Sequence, residues 1–363
     1  MNISFIGVGW MGQALLARVA ARDDCRVVAL CQKTQSKAMT LLQDYPGAVF
    51  EADPIKAAQH PDADAVFVCS PNSFHGPQSI AALEAGKHVF CEKPCATRYD
   101  EFLRQLKLEQ ETGLTTFVDY ILNFDTMEKR LARMVAADAF GMVTQLQVNY
   151  RHPVNIAGSK VWKLSREIMG DAIGMGINHA VSVIVKIMES QARPVQVYAT
   201  KMAAQVRPFE SEPIWNILIS FDNGATAVCL GNIDSANGYD AYHSLYGTKG
   251  AFLFDSLMDR PNKVRYWSES EVGGQWQYPL RDGLWPADTT TPDSGDVIEH
   301  QTSESVGHFI GHAKAGTQSP LSFVNSAVIA DIGWAAQISA SENRPVDLPL
   351  DIDQARSFFA AAP

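Results

Sequence analysis

Short, nearly all-apolar runs alternate with longer amphipathic stretches over the first third of the chain. Asn2–Gly7, Arg26–Cys31, Ala65–Cys69 and His88–Cys91 predict strands, and Gly12–Arg22, Ser36–Asp44 and Gly76–Ala85, with apolar residues at helical spacing, predict helices between them. A strand that is apolar on both sides must be covered on both sides, as in a parallel sheet flanked by helices. The alternation therefore predicts a doubly wound α/β domain.

The pattern changes after Tyr120. A helical stretch from Asp125 to Ala137 precedes Val143–Arg151, whose sides alternate as in a half-buried strand, and a glycine-punctuated helix follows at Gly170–Met188. Strand-like runs then recur at Val195–Met202, Ile214–Phe221, Thr226–Ile233, Tyr242–Tyr246, Ala251–Asp255 and Lys263–Trp267, broken by turn signals such as Asp222-Asn223-Gly224. This predicts an α+β domain built on a largely antiparallel sheet with helices on one face. A closing helix is expected from Ser322 to Ser341 and an extended tail at Pro345–Leu350, while Ala287–Ser294 reads as a surface loop. The two domains are expected to span residues 1–121 and 122–363.

At 363 residues the chain is long enough for two buried cores. A hydrophobic share of 46% and a charged share of 19% are ordinary globular values and exclude a disordered or fibrous chain. The 30 basic and 40 acidic residues give a net charge of -10, which repels polyanions, so neither nucleic acid nor an anionic membrane surface is expected as a partner. The 6 cysteines show neither CxxC spacing nor a disulfide framework and are expected to be reduced. No apolar run approaches the roughly 18 residues of a membrane span, and the N-terminus lacks the basic region of an export signal. A cytoplasmic location is the expectation.

Chemistry enters with Gly7-Val8-Gly9-Trp10-Met11-Gly12, which fits GxGxxG directly after a strand and at the start of a helix. Gly7 permits the tight turn, Gly9 lets the backbone approach a pyrophosphate, Gly12 allows the helix to pack on the strand, and the helix start at Trp10 and Met11 offers free N–H groups to anionic oxygens. This predicts dinucleotide binding by the first domain and leaves the second for the substrate. An Asp or Glu about 20 residues on usually grips the ribose hydroxyls of NAD. Gln32 stands there instead, followed by Lys33, Thr34, Ser36 and Lys37. Donors in place of a carboxylate admit a 2′-phosphate, so NAD(P) is the expected cofactor, with NADP favoured. The plainer reading of Lys33 is a solvated turn residue.

Two further segments are specific. Ser70-Pro71-Asn72-Ser73-Phe74-His75 follows the strand at Ala65–Cys69, and Ala85-Gly86-Lys87-His88-Val89-Phe90-Cys91-Glu92-Lys93-Pro94 closes the next one. With the glycine motif they closely resemble the glucose–fructose oxidoreductase, inositol dehydrogenase and rhizopine-catabolism family, Gfo/Idh/MocA. The likeness is specific over the first domain and weaker beyond it, through Gly247-Thr248-Lys249-Gly250 and the overall layout. The resemblance implies a Rossmann domain followed by an open-faced α+β domain that forms homodimers or homotetramers through its sheet. It also implies that Glu92 binds the nicotinamide ribose, that Lys93 is catalytic and meets both cofactor and substrate, and that the Lys93–Pro94 bond is cis. The residues themselves agree about Lys93. Doubly wound sheets bind ligands at their strand carboxyl ends, and an ammonium there can hold a hydroxyl, stabilise a developing alkoxide and relay its proton. Ser70, Pro71, Asn72 and His75 are expected to shape the cofactor loop.

The chain departs from the family it resembles at D-x-G-x-H, whose Asp and His face the substrate in most of those dehydrogenases. In Asp171-Ala172-Ile173-Gly174-Met175-Gly176-Ile177-Asn178-His179, alignment on Gly176 puts Gly174 in the place of the Asp and Asn178 in that of the His. Either His179 acts as the missing histidine, or Asp171 and Asn178 orient the substrate while Lys93 alone handles the proton. In a continuous α-helix, at about 100° per residue, Asp171 and Asn178 lie within about 20° of one face and His179 about 80° away. Tyr120, Arg151, Trp162 and Lys163 complete the expected substrate-binding set, since aromatic faces stack on sugar C–H surfaces and basic groups bind anions. His308 and His312 stand four apart without a third ligand, and no metal is expected.

The predicted activity is hydride transfer between NAD(P) and a secondary hydroxyl or ketone of a sugar, sugar acid or cyclitol. Two alternatives stand beside it. One is redox-assisted elimination or glycoside cleavage with a recycled cofactor. The other is a non-catalytic NAD(P)-sensing regulator, which the broken D-x-G-x-H favours and the intact Glu92-Lys93-Pro94 opposes.

Overall fold

A computed structural model describes residues 1–236, 238–286, 289 and 301–361, with the side chains of residues 37, 38, 260, 271 and 272 outside that description. Of the expected loop Ala287–Ser294, only Thr289 is among the described residues. Two compact units divide the chain. One comprises Met1–Tyr120, Glu167–Gly170 and Gln301–Val328, the other Ile121–Arg166, Asp171–His300 and Ile329–Pro363. The partition is thus interleaved, where the periodicity suggests a single cut.

The first unit is a parallel sheet of β1 (Asn2–Ile6), β2 (Arg26–Cys31), β3 (Val49–Glu51), β4 (Ala65–Val68), β5 (His88–Cys91) and β6 (Thr116–Val118), in the order β3-β2-β1-β4-β5-β6. Register explains its core. Phe5 lies opposite Phe67, Phe67 opposite Phe90, and Phe90 opposite Phe117. One phenylalanine from each of these neighbouring strands therefore joins a ladder with ring centroids 4.7, 4.4 and 4.9 Å apart. Phe309, on the helix Thr302–Ala315, meets Phe67 and Phe90 edge-on. Each such pair adds about 0.5–1.5 kcal/mol beyond burial.

This packing is why the late segment Gln301–Val328 belongs to the first unit. The buried Glu109 carboxylate fixes the segment further by accepting from Thr116 Oγ1, Ser322 Oγ and the Val324 N–H. Val118 N–H also donates to Leu321 O at 2.8 Å. Local periodicity cannot show such a return, because its cause lies about 200 residues away in sequence.

The second unit holds β7 (Val143–Arg151), β8 (Pro194–Met202), β9 (Ile214–Phe221), β10 (Thr226–Asn232), β11 (Tyr242–Gly247), β12 (Gly250–Asp255), β13 (Val264–Ser268), β14 (Trp276–Gln277) and β15 (Val346–Asp347). They form one sheet in the order β14-β13-β12-β11-β7-β10-β9-β8-β15, antiparallel except where β10 runs parallel to β7. Along β9, Trp215, Ile217, Ile219 and Phe221 are buried while Asn216 and Leu218 are exposed, so one face is covered and the other open. The helix Asn178–Met188 lies across β7 and β10 on the covered face, with Thr126–Ala136 beside it.

The expected single helix Gly170–Met188 is instead a π-helical turn, Ile173–Ile177, running into Asn178–Met188. Tertiary fit explains the change. A Cβ on Gly176 would lie 2.7 Å from Tyr150 Cε1, and one on Gly231 would lie 2.5 Å from Ile177 Cδ1, so both glycines admit a neighbouring side chain. The closing helix spans Ala327–Glu342, and a further helix, Ile352–Ala361, follows the tail. No helix among the described residues is long and apolar enough to cross a membrane.

Candidate active site

The glycine turn closes the end of β1. Gly7 has a φ of +86°, and a Cβ there would lie 2.5 Å from Ser70 N; a Cβ on Gly12 would collide with the Gly7 carbonyl. Gly9 differs, because a Cβ there would meet no protein atom within 4 Å. The helix Trp10–Ala20 starts at Gly9 with no side-chain cap and no acid in its first turn. A helix start without a side-chain cap, beside an open, side-chain-free backbone, fits a dinucleotide pyrophosphate. Trp10 is exposed there. Gln32 braces this turn through Nε2, which donates to Val8 O at 3.0 Å, while its Oε1 accepts from the N–H of the next residue, Lys33. Lys33 is exposed, and the Lys37 side chain lies outside the described residues.

The loops after β4 and β5 are tied to one another. Ser70 Oγ donates to Gln78 Oε1 at 2.7 Å, Pro71 leads into the 3₁₀ turn Asn72–Phe74, and Asn72 Nδ2 donates to Met169 O at 2.9 Å. His75 is buried, with Nδ1 2.7 Å from Pro94 O and Nε2 2.6 Å from Ser70 O. It joins the two loops that carry the sequence motifs, a structural position rather than one open to a substrate. Burial pulls its pKa down, and the two carbonyls oppose that shift.

Glu92, Lys93 and Asp119 gather at the ends of adjacent strands. Asp119 N–H donates to Cys91 O and Glu92 N–H to Val68 O, each at 2.9 Å, and the Lys93–Pro94 peptide is cis. Glu92 and Lys93 keep some exposed surface, yet protein surrounds them closely enough for desolvation to dominate. Burial raises the pKa of Glu92 and lifts Asp119 well above the usual carboxylate range, with the Glu92 charge adding to the second. Burial lowers the pKa of Lys93, and the charges of Glu92 and Asp119 oppose this. An ammonium with a loosened proton, held beside acids, suits a proton-transfer group. Tyr120 is buried directly after Asp119.

In the second unit, Asp171 Oδ1 accepts from Gly174 N–H at 2.7 Å and Oδ2 from Gln337 Nε2 at 3.0 Å. Both oxygens thus serve the local fold, and the even α-helical phase expected between Asp171 and Asn178 does not apply across a π turn. Asn178 Nδ2 donates to Gly174 O at 3.1 Å, while its buried Oδ1 has no hydrogen-bond partner among the described residues. His179 is buried, its ring 5.7 Å from that of Tyr150. Tyr239 joins them, 6.0 Å from Tyr150 and 5.3 Å from His152, and forms an aromatic cluster. Arg151 is paired with Asp240 at 2.9 Å, which offsets its charge. Trp162 and Lys163 lie on the 3₁₀ turn Gly158–Leu164, with the Lys163 Nζ 6.0 Å from the indole centroid.

Two family models match the chain. One, described as an oxidoreductase family with an NAD-binding Rossmann fold, matches residues 1–120; the other, the GFO/IDH/MocA C-terminal domain, matches residues 129–253. The chain belongs to the Gfo/Idh/MocA oxidoreductase family. The chain is 29% identical over 265 residues to an uncharacterized oxidoreductase of Bacillus subtilis, covering 71% of this chain and 74% of that protein. It is 22% identical over 362 residues to a myo-inositol 2-dehydrogenase of Thermotoga maritima, covering 96% and 98%. Levoglucosan dehydrogenase, solved in complex with NADH and levoglucosan, shares the fold with a TM-score of 0.79 at 20% identity, covering 96% of this chain and 99% of that one.

Asp119 and Tyr239 escape the sequence reading of this Gfo/Idh/MocA chain. Tyr239 sits in an irregular segment, whereas Asp119 carried a usable signal as the acid that directly ends the apolar run Phe117-Val118.

Proposed function

We propose that this oxidoreductase transfers a hydride between NAD(P) and a secondary hydroxyl or ketone of a sugar, sugar acid or cyclitol. The carrying observation is the Glu92–Lys93–Asp119 cluster at the strand ends, in a domain whose glycine turn fits a dinucleotide. The dinucleotide, when bound, supplies the hydride acceptor or donor. Lys93 takes the hydroxyl proton on oxidation and returns it on reduction, and Glu92 is the group suited to a nicotinamide ribose. Asn178 Oδ1 offers an acceptor for a substrate hydroxyl, and the rings around Tyr150 offer faces for C–H surfaces. The names inositol 2-dehydrogenase and levoglucosan dehydrogenase among its relatives support the substrate class.

NADP is the proposed cofactor form. Gln32 stands where an acid would repel a 2′-phosphate, the helix Gln35–Leu42 has no acid in its first turn, and Lys33 is free to approach an anion. We also place the chain in the cytoplasm, a reducing compartment that suits cysteines with neither CxxC spacing nor a disulfide framework. Its open sheet face, carrying Leu218 and Tyr246, is the proposed surface for a homodimer or homotetramer.

A panel of sugars, sugar acids and cyclitols, each with NAD or NADP, tests this through the absorbance of reduced nicotinamide. At least one polyol should be oxidised, with kcat/KM about tenfold or more higher with NADP, since one phosphate contact of about 1.5–3 kcal/mol supplies that ratio. No reaction with any compound counts against the function, and a preference for NAD overturns the cofactor form.

His179 is assigned to the aromatic cluster rather than to proton transfer. His179→Ala should raise KM about tenfold and leave kcat within about threefold, because lost binding contacts act on ground and transition states alike. A fall in kcat of about 10²-fold, the size of a missing general acid or base, would make His179 a proton carrier.

A further inference from the structure

The Asp119 carboxyl belongs to the cluster that carries the proposed reaction but has no step of its own there, although its charge acts on the reacting lysine. It is buried on the residue that follows β6, and its own N–H is tied to Cys91 O. Cys91 pairs with Val118 across the β5–β6 ladder, so the next residues, Glu92 and Asp119, leave adjacent strand ends together. Among the described residues, the titratable groups facing Asp119 are Glu92 and Lys93 after β5 and the thiols of Cys69 and Cys91; the Ser305 hydroxyl, on the helix Thr302–Ala315, is also near and donates to Thr302 O at 3.2 Å. Two ionised acids and one ammonium would leave a net negative charge in a desolvated place. Adjacent acids avoid this by titrating as a pair and keeping one proton between them.

We propose that Asp119 is a positioning residue that shares one proton with Glu92 and sets the hold of this pair on the Lys93 ammonium. Its role rests on Lys93 being the group that carries the substrate proton. With one shared proton the pair presents a single negative charge to Lys93. As Lys93 starts to lose its proton at higher pH, the pair can release its own, and the second charge then holds the ammonium more strongly. Removing Asp119 takes away that second charge, so Lys93 releases its proton at lower pH. The sign is the same in both reaction directions. The acid limb of oxidation, which needs neutral Lys93, and the alkaline limb of reduction, which needs the ammonium, both move down.

The test combines infrared spectra and pH profiles of the full chain. The wild-type minus Asp119→Asn difference spectrum at neutral pH should contain the C=O band of one protonated carboxylic acid, and Glu92→Gln should give the same band from the other member of the pair. Asp119→Glu, which keeps the carboxyl, should keep the band. In Asp119→Asn the pH profile should shift by about one unit to lower pH, the size of one lost charge partner. A merely structural Asp119 would lower the rate equally at every pH. Difference spectra without the band, or a variant profile that superimposes on the wild type after scaling, overturn the proposal. Wild-type turnover in Lys93→Met would overturn the reading of Lys93 instead, and would leave the band in place.

Discussion

Lys93→Met is expected to lower kcat by about 10³-fold or more while the dissociation constant of the dinucleotide stays within a few-fold. Methionine keeps the length and apolar stem of the lysine, so the loop before Pro94 retains its packing, and only the ammonium is lost. That ammonium is asked to move a proton and to stabilise charge on the substrate oxygen. The first role is worth about 10²–10⁴-fold, and a single donor to a developing oxyanion adds about 10²–10³-fold. Stability should respond to pH in a defined sense. Glu92 and Asp119 have pKa values raised by burial, so they can take up protons once Lys93 is gone, and folding should be little affected at low pH. As pH rises through their folded pKa values the uncompensated charge becomes costly, and the stability gap to wild type widens. Absorbance at saturating substrate, fluorescence titration with cofactor and thermal melts across pH measure the three quantities. Wild-type kcat removes Lys93 from the chemistry.

Legibility in the sequence followed the length over which each physical cause acts. Val143–Arg151 and Ile214–Phe221 appear in the structure with the residues that alternation predicts, because eight or nine positions are enough to display a period of two. Thr116–Val118 and Val49–Glu51 are three residues each and cannot show one. The glycine turn could be read because its chemistry is local, with backbone freedom carried by consecutive residues, whereas Glu92-Lys93-Pro94 stands out through the family resemblance, whose implied cis Lys93–Pro94 bond is present. Asp171 could not. Its partner Gln337 is 166 positions away, and the π turn that sets its direction depends on the fit of Gly176 against Tyr150. Asp119 falls between these cases: the acid is plain in the sequence, but its neighbour Glu92 becomes visible only once β5 and β6 are known to be adjacent.

Alanine at Gly9 and at Gly12 should separate the two physical demands on the glycine turn. At Gly12 a Cβ would press on the Gly7 carbonyl and lie 3.3 Å from Cys69 Cβ, so the first helix must retreat from β1. The obstructing atoms are backbone or close to it, and overpacking of this kind costs about 1–3 kcal/mol. Gly12→Ala is therefore expected to lower Tm and to weaken cofactor binding together. At Gly9 the same methyl would meet no protein atom within 4 Å, and the backbone there has an ordinary φ of -77°. Gly9→Ala should leave Tm almost unchanged. The empty space at Gly9 is nonetheless where a pyrophosphate would approach the uncapped helix, and a methyl group there would hold its oxygens off the N–H groups. Losing one or two charge-assisted hydrogen bonds, at about 1.5–3 kcal/mol each, should weaken dinucleotide binding by about 10- to 100-fold. Thermal melts without ligand and calorimetric titrations with NADP read the two effects separately. An unchanged affinity in Gly9→Ala would mean that the ligand does not touch the backbone there, and an equal fall in Tm for both variants would mean that the glycines serve packing alone.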